Sequence, residues 1–131
     1  MKNRMIKLLT VLVAVVAWSS SAYAACGKAE FVGTWDVTFA DGNSCLLVLD
    51  SKGDIVASES ICFDPFRGST APDSGTYSVG WDCSVSAMLV VEGNTIELAG
   101  QFAPRGRDTG AGRYVVPAYF LKGAFTMIRV Q

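Results

Sequence analysis

From Gly75 to Ala87 the chain alternates without a break. The odd positions are Gly75, Tyr77, Val79, Trp81, Cys83, Val85 and Ala87, and the even ones are Thr76, Ser78, Gly80, Asp82, Ser84 and Ser86. Successive side chains of a strand point to opposite faces, whereas an amphipathic helix repeats its apolar positions every three or four residues. This run therefore admits a half-buried strand and excludes a surface helix. Its length predicts a strand bent at Gly80. The same period recurs in Phe31 to Phe39, with Phe31, Gly33, Trp35, Val37 and Phe39 against Thr34, Asp36 and Thr38. It recurs in Thr95 to Ala103, with Ile96, Leu98, Gly100 and Phe102 against Glu97 and Gln101, and in Tyr119 to Arg129, with Tyr119, Leu121, Gly123, Phe125 and Met127 on one face.

Turn chemistry separates these runs. Asp41-Gly42-Asn43, Asp50-Ser51-Lys52-Gly53 and Glu92-Gly93-Asn94 supply residues that accept tight or left-handed backbone. Two longer loops are expected, one over Asp64 to Ser74 and one over Pro104 to Gly112. No helix of useful length is expected. The predicted fold is all-β: about seven or eight short antiparallel strands in a meander, closed into a small disulfide-stapled barrel or packed as a sandwich. Closure removes exposed edges, an advantage for an exported chain.

The first residues read as an export signal. Lys2, Arg4 and Lys7 precede an apolar run from Leu8 to Trp18, and Ala22-Tyr23-Ala24 offers the small-x-small pattern of a cleavage site. The apolar run is too short for a transmembrane span, which takes about 20 residues. The expected organisation is a signal peptide over 1–24, cut after Ala24, and a single domain over 25–131, placed in the periplasm or secreted. Cys26 also invites a lipoprotein reading. That reading is disfavoured, because the position three before the cysteine is Tyr23 rather than an aliphatic residue. Three of the eleven Lys and Arg residues and none of the twelve Asp and Glu residues precede the expected cut. The remaining 107 residues carry eight basic and twelve acidic side chains, a formal charge of −4. An excess of negative charge argues against nucleic acid as a partner.

Cys26, Cys45, Cys62 and Cys83 make an even set, which in an exported chain implies two disulfides. A zinc site is disfavoured, since there is no C-x-x-C pair and no His in the chain. Three pairings are open. A Cys45–Cys62 bond would join neighbouring strands across one turn and is preferred, which leaves Cys26 with Cys83.

Gly33-Thr34-Trp35 at the start of the first strand resembles the Gly-x-Trp of lipocalin-like barrels. That resemblance implies an Arg late in the barrel packed over the Trp. Arg129 has the right place and lies in phase with the inward residues of the last strand. Gly33-Thr34-Trp35, then Cys45-Leu46-Leu47-Val48-Leu49, then Cys62 is similar to the opening of the Inh family of bacterial metalloprotease inhibitors, small periplasmic barrels. This second resemblance spans about 30 residues. It implies a periplasmic protease inhibitor whose N-terminal segment, here Ala25 to Glu30, enters the protease cleft. The family usually has two cysteines, so Cys26 and Cys83 depart from it, and a bond at Cys26 would tie the inserting segment down.

No catalytic residues are expected. Without His there is no Ser-His-Asp or Cys-His pair, and paired cysteines leave no free thiolate. Asp64 and Asp73 are read as solvated loop charges, and no metal or cofactor is expected. Arg105, Arg107 and Arg113, set among glycines, are a candidate anion-binding or partner-binding loop, with a plain flexible hairpin loop as the favoured reading. Trp35, Trp81, Tyr77, Phe102 and Phe125 are expected to fill the core rather than line a ligand cavity. The expected function is that of an exported, non-catalytic protein-binding module, with a lipocalin-like binder of a small ligand or an envelope-associated structural protein as alternatives. A cavity of several hundred cubic ångströms would distinguish a carrier from a module with a filled core.

Overall fold

The computed structural model describes residues 25–130; the expected signal peptide lies outside them. The described chain forms nine strands: β1 Gly33–Phe39, β2 Ser44–Leu49, β3 Ile61–Asp64, β4 Gly68–Thr70, β5 Ser74–Val79, β6 Ser84–Val91, β7 Asn94–Phe102, β8 Thr109–Val116 and β9 Leu121–Arg129. They make one antiparallel sheet in the order β4-β3-β2-β1-β9-β8-β7-β6-β5, curled into a half-barrel. Short 3₁₀ turns at Lys28–Phe31, Ala57–Glu59 and Pro117–Tyr119 are the helical segments among the described residues.

The strand count exceeds the expected seven or eight for two reasons. β4 is a three-residue strand inside the Pro- and Gly-bearing segment that reads as a loop. The long alternating run is two strands rather than one bent strand, with a turn over Gly80 to Cys83. Cys83 N donates to Gly80 O at 3.0 Å, and Cys83 takes a left-handed φ of 67°. The pairs Val79↔Val85, Tyr77↔Ala87 and Gly75↔Leu89 each join two odd-numbered residues. Residues directly opposite in an antiparallel ladder share a face. The alternation therefore passes through the turn unchanged, and Trp81, in phase with the core, sits in the turn itself at 78% exposure.

The concave face carries the core. Trp35, Val37 and Phe39 of β1 face Cys45, Leu47 and Leu49 of β2, and Phe125 and Met127 of β9, Tyr114 of β8, Leu98 and Phe102 of β7, Val85 and Leu89 of β6 and Tyr77 of β5 complete it. Burying each large apolar side chain contributes about 1.5–3 kcal/mol. Of the three glycines expected in a loop after Pro104, Gly106 stays in it, while Gly110 and Gly112 sit within β8. A Cβ on Gly112 would press into the Ala99 carbonyl and Gly100 Cα of β7. Gly110 and Gly112 thus allow a close backbone approach where the sheet bends, and the loop shrinks to residues 103–108.

The sheet's edge strands, β4 and β5, do not pair with each other. The segment after β2 reaches across at one point. Asp54 bridges to Thr76, Ile55 N donates to Gly75 O at 2.9 Å, and Tyr77 N donates to Gly53 O at 2.8 Å.

Two disulfides cross this frame. Cys45 and Cys62 face each other on β2 and β3 with Cα atoms 4.0 Å apart. Cys26 bonds Cys83 with Cα atoms 5.0 Å apart, so the N-terminal segment is fastened to the β5–β6 turn. In the chain-entropy account they contribute about 3 and about 4 kcal/mol, the longer loop the more.

Candidate functional site

The strand directions place two sets of connections at opposite ends of the sheet. One end holds the N-terminal segment, the segment after β2, the β5–β6 turn and the β7–β8 loop. It is closed. Phe31 is fully buried and stacks on Phe102 with ring centres 3.9 Å apart, and Trp35 lies 5.0 Å from Phe102. Trp35 Nε1 donates to Phe31 O at 2.9 Å, and Cys26 N donates to Trp81 O at 3.0 Å. The Arg129 guanidinium caps this stack, with Cζ 4.8 Å from the Trp35 ring centre. Its Nη1 donates to Val32 O at 2.8 Å, its Nη2 to Glu30 O at 2.6 Å, and its Nε to Asp108 Oδ1 at 2.9 Å. A partly buried charge is tolerable when aromatic face, carbonyls and carboxylate surround it in this way.

The three arginines of the candidate loop do not converge. Arg107 pairs with Glu30 and donates to Pro104 O, so it helps fasten the N-terminal segment. Arg105 is exposed in the β7–β8 loop, and Arg113 is exposed on β8 opposite Ala99 and Ala124. Asp64 and Asp73 likewise serve separate turns: Asp64 Oδ1 accepts from Phe66 N, and Asp73 Oδ2 accepts from Gly93 N. The Cys26 sulfur is engaged with Cys83, which leaves no thiol there for a lipid. Among the described residues no three His, Cys, Asp or Glu side chains are grouped to hold a metal ion, and no helix is long and apolar enough to cross a membrane.

The other end is open. It is formed by the β1–β2, β3–β4 and β6–β7 turns and the β8–β9 connection, and it holds a cavity of about 200 Å³. Phe39, Val91, Ile96, Tyr114, Val116 and the Cys45–Cys62 bond make its apolar wall, and Tyr119 and Leu121 stand at its lip. Below it the interior is filled, since the space between Val37, Leu47, Leu98 and Met127 is only about 20 Å³, the size of one water. Two wider hollows flank β5, of about 440 and 350 Å³, but both are more open to solvent than the mouth, and the one aromatic lining them is Tyr77, a buried residue.

Tyr114 floors the mouth, edge-on to Phe39 with ring centres 5.0 Å apart. Burial, then the charge of Asp41 and its hydrogen bond, push the Tyr114 hydroxyl pKa above the usual tyrosine value. At the closed end Tyr77 is raised too, by burial and then by the charge of Asp50, whose backbone carbonyl accepts its hydroxyl.

Three carboxylates line the mouth, Asp41, Asp64 and Glu92, and no Lys or Arg does. Asp41 Oδ1 accepts from Asn43 N at 2.9 Å, which holds the β1–β2 turn. Glu92 lies 3.5 Å from Arg67, both exposed, a pair that solvent screens to a small contribution. The turns of this end also carry large apolar side chains in water: Phe66 at 96% exposure in the β3–β4 turn, Phe120 at 95% and Tyr119 at 61% in the β8–β9 connection, of which Tyr119 lines the cavity. Phe120 holds a left-handed φ of 54°, an uncommon conformation for an aromatic residue. Tyr119 and Leu121, read from sequence as inward residues of the last strand, are lip residues because the 3₁₀ turn over Pro117–Tyr119 delays β9 to Leu121.

No family model, curated protein or solved structure matches this chain.

Proposed function

We propose that this is an exported, non-catalytic binding protein that engages a protein partner through the open end of its sheet. The observation that carries the reading is the exposure of Phe66 and Phe120 in turns at the same end of the sheet as a shallow apolar mouth that Tyr119 lines. Aromatic side chains held in water at the rim of a cavity are characteristic of association surfaces, where Phe, Tyr and Trp are enriched. Export is supported by the two disulfides and by the signal-like first residues. The absence of His from the sequence and the pairing of the cysteines support a role without catalysis. In this reading the curled sheet, tied across by the Gly53–Ile55 segment, works as a barrel stopped at one end.

The filled interior favours a protein partner over a carried small molecule. A carrier needs an enclosed space of about 300 Å³ or more, and the mouth offers about 200 Å³. Protease inhibition by the segment from Ala25 to Glu30 gains no support, because that segment is fastened by Cys26–Cys83, Glu30–Arg107 and the buried Phe31. An inhibitory role would have to act through the rim.

The test compares capture by the mature protein and by a Phe66→Ser/Phe120→Ser variant from the exported fraction of the source cells. Both side chains are almost fully exposed, so near-UV circular dichroism of the variant should match the parent. A partner retained by the parent and lost by the folded variant is the expected result. Equal retention by both would sink the reading.

A further inference from the structure

We infer that the group entering the mouth is a single bulky apolar side chain carried on a cationic segment of the partner. This rests on the open end being the binding surface. Size sets the first half of the inference: a cavity of about 200 Å³ over a filled core has room for one side chain and lacks depth for a whole ligand. Its wall of Phe39, Val91, Ile96, Val116 and the Cys45–Cys62 bond is apolar, so an apolar group is what gains by entering.

Charge sets the second half. Asp41 and Glu92 come from two turns and Asp64 from the end of β3, and the curl of the sheet brings them to one lip with no Lys or Arg among the lining residues. Arg67 reaches Glu92 only at 3.5 Å from an exposed position. The described domain is itself negative, with eight basic and twelve acidic side chains from residue 25 onward. Such a field attracts Lys and Arg flanking the entering side chain and repels an acidic segment. It also repels an anionic membrane surface, which sets a peptide segment ahead of a lipid headgroup as the occupant.

Four fluorescent peptides of a Gly/Ser host test this on the disulfide-intact protein. Each carries Phe or Ala at the centre, flanked by two Lys or two Glu. Fluorescence polarisation should show the Phe/Lys peptide binding at least tenfold more tightly than either the Ala/Lys or the Phe/Glu peptide. Its affinity should fall between 50 and 500 mM NaCl. In Asp41→Asn/Glu92→Gln the preference for Lys over Glu should shrink while the preference for Phe over Ala persists. Binding of the Phe/Glu peptide equal to that of Phe/Lys overturns the cationic assignment. If that binding still disappears in Phe66→Ser/Phe120→Ser, the rim remains the binding surface and only this inference falls. Failure of all four peptides, or sedimentation with anionic vesicles in their place, also overturns it. Capture through the rim then judges the broader reading independently.

Discussion

At one end of the sheet Phe31 lies flat on Phe102, its backbone fixed by a disulfide five residues earlier and by the donors of Arg129. At the other end, which holds the cavity, Phe66 and Phe120 project into water from their turns. The residue type is the same, and the surroundings differ in how the chain covers each end. At the closed end a chain segment from outside the sheet folds back and covers the core. At the open end tight turns return most strands directly, and the short link over residues 71–73 joins β4 to β5, with Asp73 holding the β6–β7 turn. Apart from Trp81, the aromatic surface is buried where a covering segment exists and stands in water where it does not.

The largest effect that probes this contrast should come from truncating one phenylalanine at each end. Phe31→Ala removes a fully buried ring and should cost about 3–5 kcal/mol, lowering the melting temperature by about 15 °C or more. Phe120→Ala should change it by less than about 0.5 kcal/mol. Thermal unfolding of the two variants measures the difference, and similar losses would mean that the open end is a second core rather than a surface. Arginines give a smaller contrast. Arg129→Ala strands the Val32 and Glu30 carbonyls and removes the cation over Trp35, so a loss of about 2–3 kcal/mol is expected. Arg105→Ala, in an exposed loop, should lie within about 0.5 kcal/mol of the parent. Equal small effects in denaturant titrations would remove Arg129 from its role as a cap.

The smallest effect concerns pH and engages both ends. Tyr77 at the closed end and Tyr114 at the open end are each held neutral by burial and a neighbouring carboxylate, with pKa values above the unfolded value of 10.0. The unfolded chain therefore loses these protons first. The stabilisation is complete below pH 10 and is lost as pH rises from there through the raised native values. Tyr77→Phe and Tyr114→Phe should each flatten the alkaline fall in stability, as followed by denaturant midpoints between pH 8 and 12. An unchanged slope in both would show that neither hydroxyl is protected.

Much of this architecture is legible from residue pattern because a strand reports its faces at every second position. Compartment and spacing favour the observed cysteine pairing among three open ones, and the phase of Arg129 with Phe125 and Met127 puts it on the inward face, where the structure pairs it with Trp35. Pattern fails where it is indifferent to direction. The turn at Gly80 to Cys83 preserves parity, so two strands look like one, and Trp81 looks inward while it stands in solvent. Gly110 and Gly112 look like loop residues because the close approach that demands them involves β7, about a dozen residues away. The mouth is invisible for a related reason. Asp41, Asp64 and Glu92 each read as ordinary turn chemistry and Tyr119 as an inward residue of the last strand, and only the curl of the sheet makes them neighbours. The one local sign is the presence of aromatic residues within turn segments, Phe66 after Pro65 and Phe120 after Pro117.

The Cys26–Cys83 bond closes a covalent ring that holds β1 to β5 and leaves β6 to β9 outside it. Phe66 and Phe120, the two most exposed aromatics, are natural cutting points for a protease that cleaves after large apolar residues. A cut after Phe66 falls inside the ring, and the two pieces stay one molecule until a reductant reaches them. A cut after Phe120 falls outside it and detaches β9, the strand between β1 and β8 that supplies Phe125, Met127 and Arg129. In a compartment rich in proteases, one side of the same lip is expendable and the other is a point of failure.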